Sequence, residues 1–170
     1  THFEAALGRA PDHGPSIREL EALVSDDRVR RRVCERLDGV YRGRGDWPAL
    51  ADCIELQILD ADDKTRASLL SQLVTLSQGA LNSPEREWNA RLRLINHQPG
   101  DEELRQQLLQ TAPDETAMVQ LAAECRRVAD ACHNPIERGA LRRFSGDLYA
   151  RHLNDLEAAI AQLEQVRAEE

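Results

Sequence analysis

The sequence predicts an all-α fold, a solenoid of antiparallel helix pairs, and three observations support it. Segments 64–98 and 136–170 are similar when offset by 72 residues, so that Leu76 corresponds to Leu148 and Asn82 to Asn154. No segment alternates apolar and polar residues for long, as a half-buried strand would. All seven prolines fit helix ends. Repeated helix pairs that cannot bury their apolar faces alone stack on their neighbours.

The composition suits helices packed through aliphatic side chains. Of the 170 residues, 41% are hydrophobic, 31% are charged and 4% are aromatic, which is too apolar for a disordered chain. The net charge of −8 argues against a general nucleic-acid partner. No apolar run approaches the roughly 18 residues of a membrane span, so we expect no membrane insertion.

The cysteines favour a reducing compartment. Cys34, Cys53, Cys125 and Cys132 lack the dense spacing of a disulfide framework. Buried free thiols are the simpler interpretation, and we expect the protein to be cytoplasmic.

Ten helices are predicted, most of them from a polar or proline-containing start. Ser16 and Glu19 fit the pattern of a capping box, as Asn134 and Glu137 do. Proline is favourable in the first turn because its missing N–H would have no partner there. In chain order the predicted helices cover residues 2–8, 16–24, 28–42, 47–59, 64–81, 84–97, 101–111, 114–132, 135–152 and 155–168.

The turns between paired helices recur along the chain. Taking Asp46, Ser83, Asp114 and Asp155 as marks, the mean spacing is about 36 residues, in the range of helical repeats. We therefore expect one domain over residues 1–170. Its approximate repeats are 28–60, 64–97, 101–132 and 135–168.

Several segments resemble tetratricopeptide repeats. Residues 155–163 and 45–51 are similar to the opening of the second helix of that repeat, and residues 141–148 to the large, large, small, large pattern of its first helix. The resemblance implies a right-handed superhelix used for protein–protein contact. Other α-solenoid repeats have overlapping patterns. The chain departs from the family at helix 16–24, which lacks an obvious partner, and at the short helix 101–111.

Neither end of the sequence carries a polar capping repeat. Natural solenoids close with such caps. We therefore expect a fragment of a longer array, and the uncapped ends leave self-association open.

No catalytic motif stands out, and we predict neither enzymatic activity nor a cofactor. The sequence has no glycine-rich phosphate loop, no His-Glu-x-x-His and no paired CxxC. Cys125, Cys132 and His133 form the one candidate metal cluster. A zinc site needs about four ligands, and a fourth is missing, so packing is the favoured interpretation.

Arginines suggest where a partner binds. Arginine holds carboxylates bidentately, which fits an acidic or mixed peptide, although pairing with neighbouring acids explains the same residues. In tetratricopeptide arrays the first helices line the concave groove. The resemblance thus implies groove positions at Arg31, Asp38, Tyr41, Arg42, Arg142 and Tyr149.

The sequence therefore predicts a non-enzymatic scaffold for protein–protein interaction. The alternative is a helical arm or regulatory region of a larger multidomain enzyme. An isolated helical enzyme would need a pocket of convergent titratable groups, which the sequence does not indicate. Trp47 and Trp88, both near the start of a second helix, are predicted to pack between neighbouring helices.

Overall fold

The computed structural model describes residues 14–169, with side chains through Ala168. Within that range the chain forms α-helices and no strand, which confirms the predicted all-α class. The predicted helix at residues 2–8 lies outside the described residues. In chain order the helices are α1 (Gly14–Leu23), α2 (Arg30–Arg44), α3 (Trp47–Leu59), α4 (Asp63–Gln78), α5 (Pro84–Leu94), α6 (Glu102–Thr111), α7 (Glu115–Ala131), α8 (Pro135–Arg151) and α9 (Leu156–Glu169).

Short polar side chains fix several helix starts. The carboxylate of Asp46 accepts a hydrogen bond from the Ala49 N–H at 3.3 Å, and that of Asp114 accepts one from Ala117 at 2.8 Å. Each bond satisfies an N–H that the first helical turn leaves without a partner. At the first helix the predicted start is wrong. α1 begins at Gly14, with Pro15 in its first turn, and Ser16 is a buried position inside it.

The turn after α4 ends that helix earlier than predicted. Asn82 adopts the left-handed conformation, with φ of 46°, where a helix cannot continue. The N–H of Leu81 donates to the Leu76 carbonyl at 3.0 Å, and that of Ser83 donates to Ser77 at 2.9 Å. These bonds fold the chain back over the last helical turn, so α4 ends at Gln78 rather than at residue 81.

The backbone repeats this turn 72 residues later. Asn154 has φ of 49°, and among the described residues Asn82 and Asn154 are the two non-glycine residues with positive φ. Leu153 donates to the Leu148 carbonyl at 3.1 Å, and Asp155 to the Tyr149 carbonyl at 2.8 Å. The flanking helices keep the same offset, since α4 and α8 begin at positions 63 and 135, and α5 and α9 at 84 and 156. The repeat predicted from side chains is therefore also a repeat of main-chain geometry.

The chain divides into two compact units, Thr1–Ser83 and Pro84–Glu170, and the single repeat domain over residues 1–170 stays a prediction. In each unit, helices that follow one another in sequence pack together. α1, which was expected to lack a partner, packs against α2, where the Tyr41 hydroxyl donates to Glu21 at 2.9 Å. The largest fully buried side chains of the first unit are Cys34, Leu37, Leu50, Ile54, Leu70 and Leu73. Those of the second are Ile95, Leu108, Leu121, Cys125, Leu141 and Leu148.

Trp88 links α5 to α6. Its side chain is 4% exposed, and the indole N–H donates to the Leu108 carbonyl at 3.1 Å. The predicted packing between neighbouring helices is confirmed at this residue. Trp47, at the start of α3, is half-buried.

Candidate functional site: a groove beside α4

An open groove of about 500 Å³ runs along α4 in the first unit. Most of its lining residues lie on one exposed side of α4, where polar side chains recur at helical spacing. α2 and α3 contribute one residue each. The lining residues are Arg42, Ile54, Ser68, Ser71, Gln72, Thr75, Leu76 and Ala80.

Arg42 reaches across from α2 to α4. Its guanidinium holds the Asp38 carboxylate with two hydrogen bonds, of 2.7 and 3.1 Å, and donates to the Gln72 side-chain oxygen at 3.4 Å. The bond to Asp38 raises the pKa of Arg42 above its usual value. The Asp38 carboxylate therefore balances much of the charge of Arg42, and the planar guanidinium orients the Gln72 amide.

The hydroxyl groups on α4 present acceptors to the groove. Ser71 donates its hydroxyl proton to the Ala67 carbonyl at 3.0 Å, and Thr75 donates to the Ser71 carbonyl at 3.1 Å. Because each proton is committed to the helix backbone, the oxygen lone pairs remain for a ligand. Gln72 contributes the opposite polarity, since its oxygen accepts from Arg42 and its two amide N–H groups can donate.

The residues predicted to line a groove lie in different surroundings in the structure. Arg42 lines the cavity, and its partner Asp38 lies beside it. Arg31 is exposed and pairs with Glu35 on the same helix at 3.1 Å. Tyr41 is only 6% exposed, and burial raises the pKa of its hydroxyl.

Arg142 and Tyr149 belong to the second unit. Arg142 is 8% exposed and pairs with Asp130 at 3.3 Å, while Tyr149 is half-buried on α8. Tyr41 and Arg142 are thus buried, while Arg42 lines the groove beside α4.

The other lining residues were missed by the sequence interpretation. Ser68, Ser71, Gln72 and Thr75 follow the i, i+3, i+4, i+7 spacing of a single helix face. These four residues are polar but uncharged, unlike the surfaces of most amphipathic helices. That pattern was the signal in the sequence that could have identified the groove. Arginine and tyrosine were predicted as binding residues instead, because they are enriched at binding hot spots.

Cys34, Cys53 and Cys125 are buried in the cores, and no cysteine lines the groove. The Cys34 and Cys53 thiols hydrogen-bond each other, which lowers the pKa of Cys34 and raises that of Cys53. Burial raises the pKa of Cys125 to about 12. All four cysteines are free, with Cys132 half-buried. Across the described range, no group of three or more His, Cys, Asp or Glu side chains could hold a metal ion.

Comparison with protein-family models, with curated proteins and with solved structures finds no match. Within residues 14–169, no helix is long and apolar enough to cross a membrane.

Proposed function

We propose that this chain is a non-enzymatic module of tetratricopeptide-like helix pairs that binds another protein through the groove beside α4. The groove carries the proposal, because it is open and offers hydrogen-bond donors and acceptors close together. The packing of consecutive helices and the duplicated turns support a solenoid arrangement.

The ligand best suited to this groove is an extended peptide segment. Each residue of an extended main chain has one N–H donor and one carbonyl acceptor. The hydroxyl oxygens of Ser71 and Thr75 would accept from peptide N–H groups, and the Gln72 amide would donate to a carbonyl. Half-buried Leu76 supplies apolar surface for a side chain, above the buried Ile54.

An ion pair already present at the groove affects which peptide we expect to bind. Asp38 already pairs with Arg42, so an acidic side chain on the peptide would compete with an existing bond. We therefore propose a polar, main-chain-directed mode of binding, with an acidic residue as an additional contact at Arg42. The free buried thiols support a reducing compartment such as the cytoplasm.

The test is selection of 12-residue peptides from a random phage library on the full chain, followed by affinity measurement of the enriched peptides. The variants Arg42→Ala and Gln72→Ala change exposed side chains and should keep the fold. Each should weaken binding about tenfold, as expected for loss of a well-placed polar contact.

Arg31→Ala is the matched control. It removes an exposed arginine from the same helix, with an ion pair to Glu35 but no place in the groove. Its affinity should equal that of the wild type. If the enriched peptides bind all three variants as tightly as the wild type, the groove is not the binding site.

A further inference from the structure

Two buried cysteines of the first unit meet between α2 and α3. Cys34 is fully buried and Cys53 is 4% exposed. The two helices pack together, and the ion pair of Arg30 with Asp60, at 3.0 Å, brings the start of α2 beside the end of α3. Between these points the two thiols hydrogen-bond each other. We call Cys34 and Cys53 the α2–α3 dithiol.

The other two cysteines have different neighbours. The Cys132 thiol faces oxygen atoms, since it donates to the Asn134 carbonyl at 3.6 Å and to the Glu137 carboxylate at 3.7 Å. Cys125 is fully buried, and burial is the main cause of its raised pKa. A disulfide has a specific geometry, so it forms most readily where two sulfur atoms already lie side by side. The α2–α3 dithiol brings its sulfur atoms together in the folded protein.

We propose that the α2–α3 dithiol is a redox-sensitive modification site, which hydrogen peroxide oxidises to a disulfide between Cys34 and Cys53. The Cys34 thiolate attacks one peroxide oxygen and the O–O bond breaks. The products are a sulfenic acid and hydroxide, which takes up the proton that Cys34 released. The Cys53 sulfur then attacks the sulfenic sulfur, so that the S–S bond forms, the S–O bond breaks, and the Cys53 proton leaves with the hydroxyl group as water. Two thiols are thereby oxidised, and one peroxide is reduced to two waters.

The surroundings of the two thiols assign the order of the steps. The thiolate is the reactive form of cysteine. The hydrogen bond from Cys53 lowers the pKa of Cys34 against the opposing effect of burial, and the charge of Arg30 lowers it further. The same hydrogen bond raises the pKa of Cys53. Cys34 is therefore the thiol that reacts with peroxide, and Cys53 is the thiol that resolves the sulfenic acid.

The oxidant reaches Cys34 when the start of α2 opens. Cys34 lies early in α2, and the N-cap residue Val29 makes no side-chain capping bond, whereas Asp46 caps α3. Helix ends without such bonds open more easily than the rest of a helix. Opening must also break the ion pair of Arg30, so oxidation of Cys34 should be slower than that of half-buried Cys132. The site should thus stay reduced in a reducing compartment and respond to sustained oxidation.

The test treats the full chain with hydrogen peroxide, in a Cys132→Ser background that removes the half-buried thiol. Remaining thiols are alkylated in urea before digestion. Trypsin separates the two cysteines by cutting after Arg32, Arg36, Arg44 and Lys64. Mass spectrometry should find the fragments 33–36 and 45–64 joined, and dithiothreitol should separate them. Cys125 should be recovered in its alkylated form.

Two variants in the same background serve as controls. Cys53→Ser removes the resolving thiol and keeps a hydroxyl group that can hydrogen-bond to Cys34. It should give no joined fragments, and dimedone should trap the Cys34 sulfenic acid. Arg42→Ala, in the groove beside α4, should form the disulfide at the same rate as its parent. The inference does not depend on peptide binding, so failure of one proposal is distinguishable from failure of the other.

The disulfide should also stabilise the first unit reversibly. It closes the loop between α2 and α3, which restricts the unfolded chain. Amide exchange in α2 and α3 should slow about tenfold or more on oxidation. A small thiol should restore the original rates by thiol–disulfide exchange, in which two of its molecules leave as their own disulfide.

Three results would each overturn the proposal. The first is a dithiol that stays reduced at peroxide concentrations that fully oxidise Cys132 of the wild-type chain. The second is oxidation of Cys34 to sulfinic acid without a link to Cys53. The third is a link from either residue to Cys125 in equal yield, because the folded structure would then not select the pair.

Discussion

Trp88 and Ile160 occupy equivalent positions in α5 and α9, yet Trp88 is buried and Ile160 is exposed. The difference arises from tertiary context, because α6 lies against Trp88. Helical periodicity identifies apolar faces but does not say which of them a later helix covers. The same limit explains Tyr41 and Arg142. Their partners, Glu21 and Asp130, lie on other helices, and no local pattern links the residues of either pair.

Trp88→Ala should lower the free energy of unfolding by about 3–5 kcal/mol, because it removes a buried ring and leaves the Leu108 carbonyl without its donor. Urea denaturation measures the change. Ile160→Ala is the matched control and should cost under about 1 kcal/mol, since its side chain is 56% exposed. Equal losses of unfolding free energy in the two variants would contradict this expectation, because burial of the side chain would then make no difference to stability.

Thiol reactivity should rank the cysteines by burial. The thiolate is the nucleophile, and burial raises the pKa of Cys125 to about 12. At pH 8 iodoacetamide should therefore modify half-buried Cys132 first and leave Cys125 unmodified until the protein unfolds. Mass spectrometry of timed digests identifies the modified residue. Labelling of Cys125 before Cys132 in the folded protein would contradict the expectation.

At the scale of the helices, starts were more predictable than ends. α3 has the predicted bounds, since Asp46 caps its N-terminus and Gly45 ends the preceding helix in the left-handed conformation. α4 and α5 end three residues early. For α4, the stop is a set of main-chain hydrogen bonds from Leu81 and Ser83. Such bonds depend on backbone conformation, and Asn82 was the sequence signal for it.

Substitution of Asn154 tests the left-handed turn between α8 and α9. Asn154→Gly should change stability by less than about 0.5 kcal/mol, because glycine adopts φ of 49° without steric cost. Asn154→Val should destabilise by about 1–2 kcal/mol, since a β-branched side chain is strained there. Thermal and urea unfolding measure both variants. A valine variant as stable as the glycine variant would refute the role given to this conformation.

At the scale of the molecule, each compact unit has its own buried core. Helices that are neighbours in sequence supply the principal contacts within it. The predicted helical class and the 72-residue repeat both hold at this scale. The division after Ser83 was not predicted, because the turn there has the same side-chain pattern as the turn after Asn154, which lies inside the second unit.

Core substitutions should act mainly on the unit that contains them. Leu37→Ala and Leu121→Ala each remove a fully buried side chain, one from each unit, and each should cost about 2–5 kcal/mol. In hydrogen exchange, Leu37→Ala should raise rates chiefly in α2 and α3, and Leu121→Ala chiefly in α7 and α8. Uniform acceleration across all the helices by either variant would instead indicate a single cooperative structure.

The two equivalent turns also show how little their geometry depends on the side chains around them. Leu70 corresponds to Arg142 and Leu73 to Ser145, so buried positions have changed chemical type between the copies. The loop geometry has stayed the same, because main-chain groups form its hydrogen bonds and one asparagine supplies its conformation. Most side chains of the helices beside such a turn can therefore differ between its two occurrences while the path of the backbone through the turn stays the same.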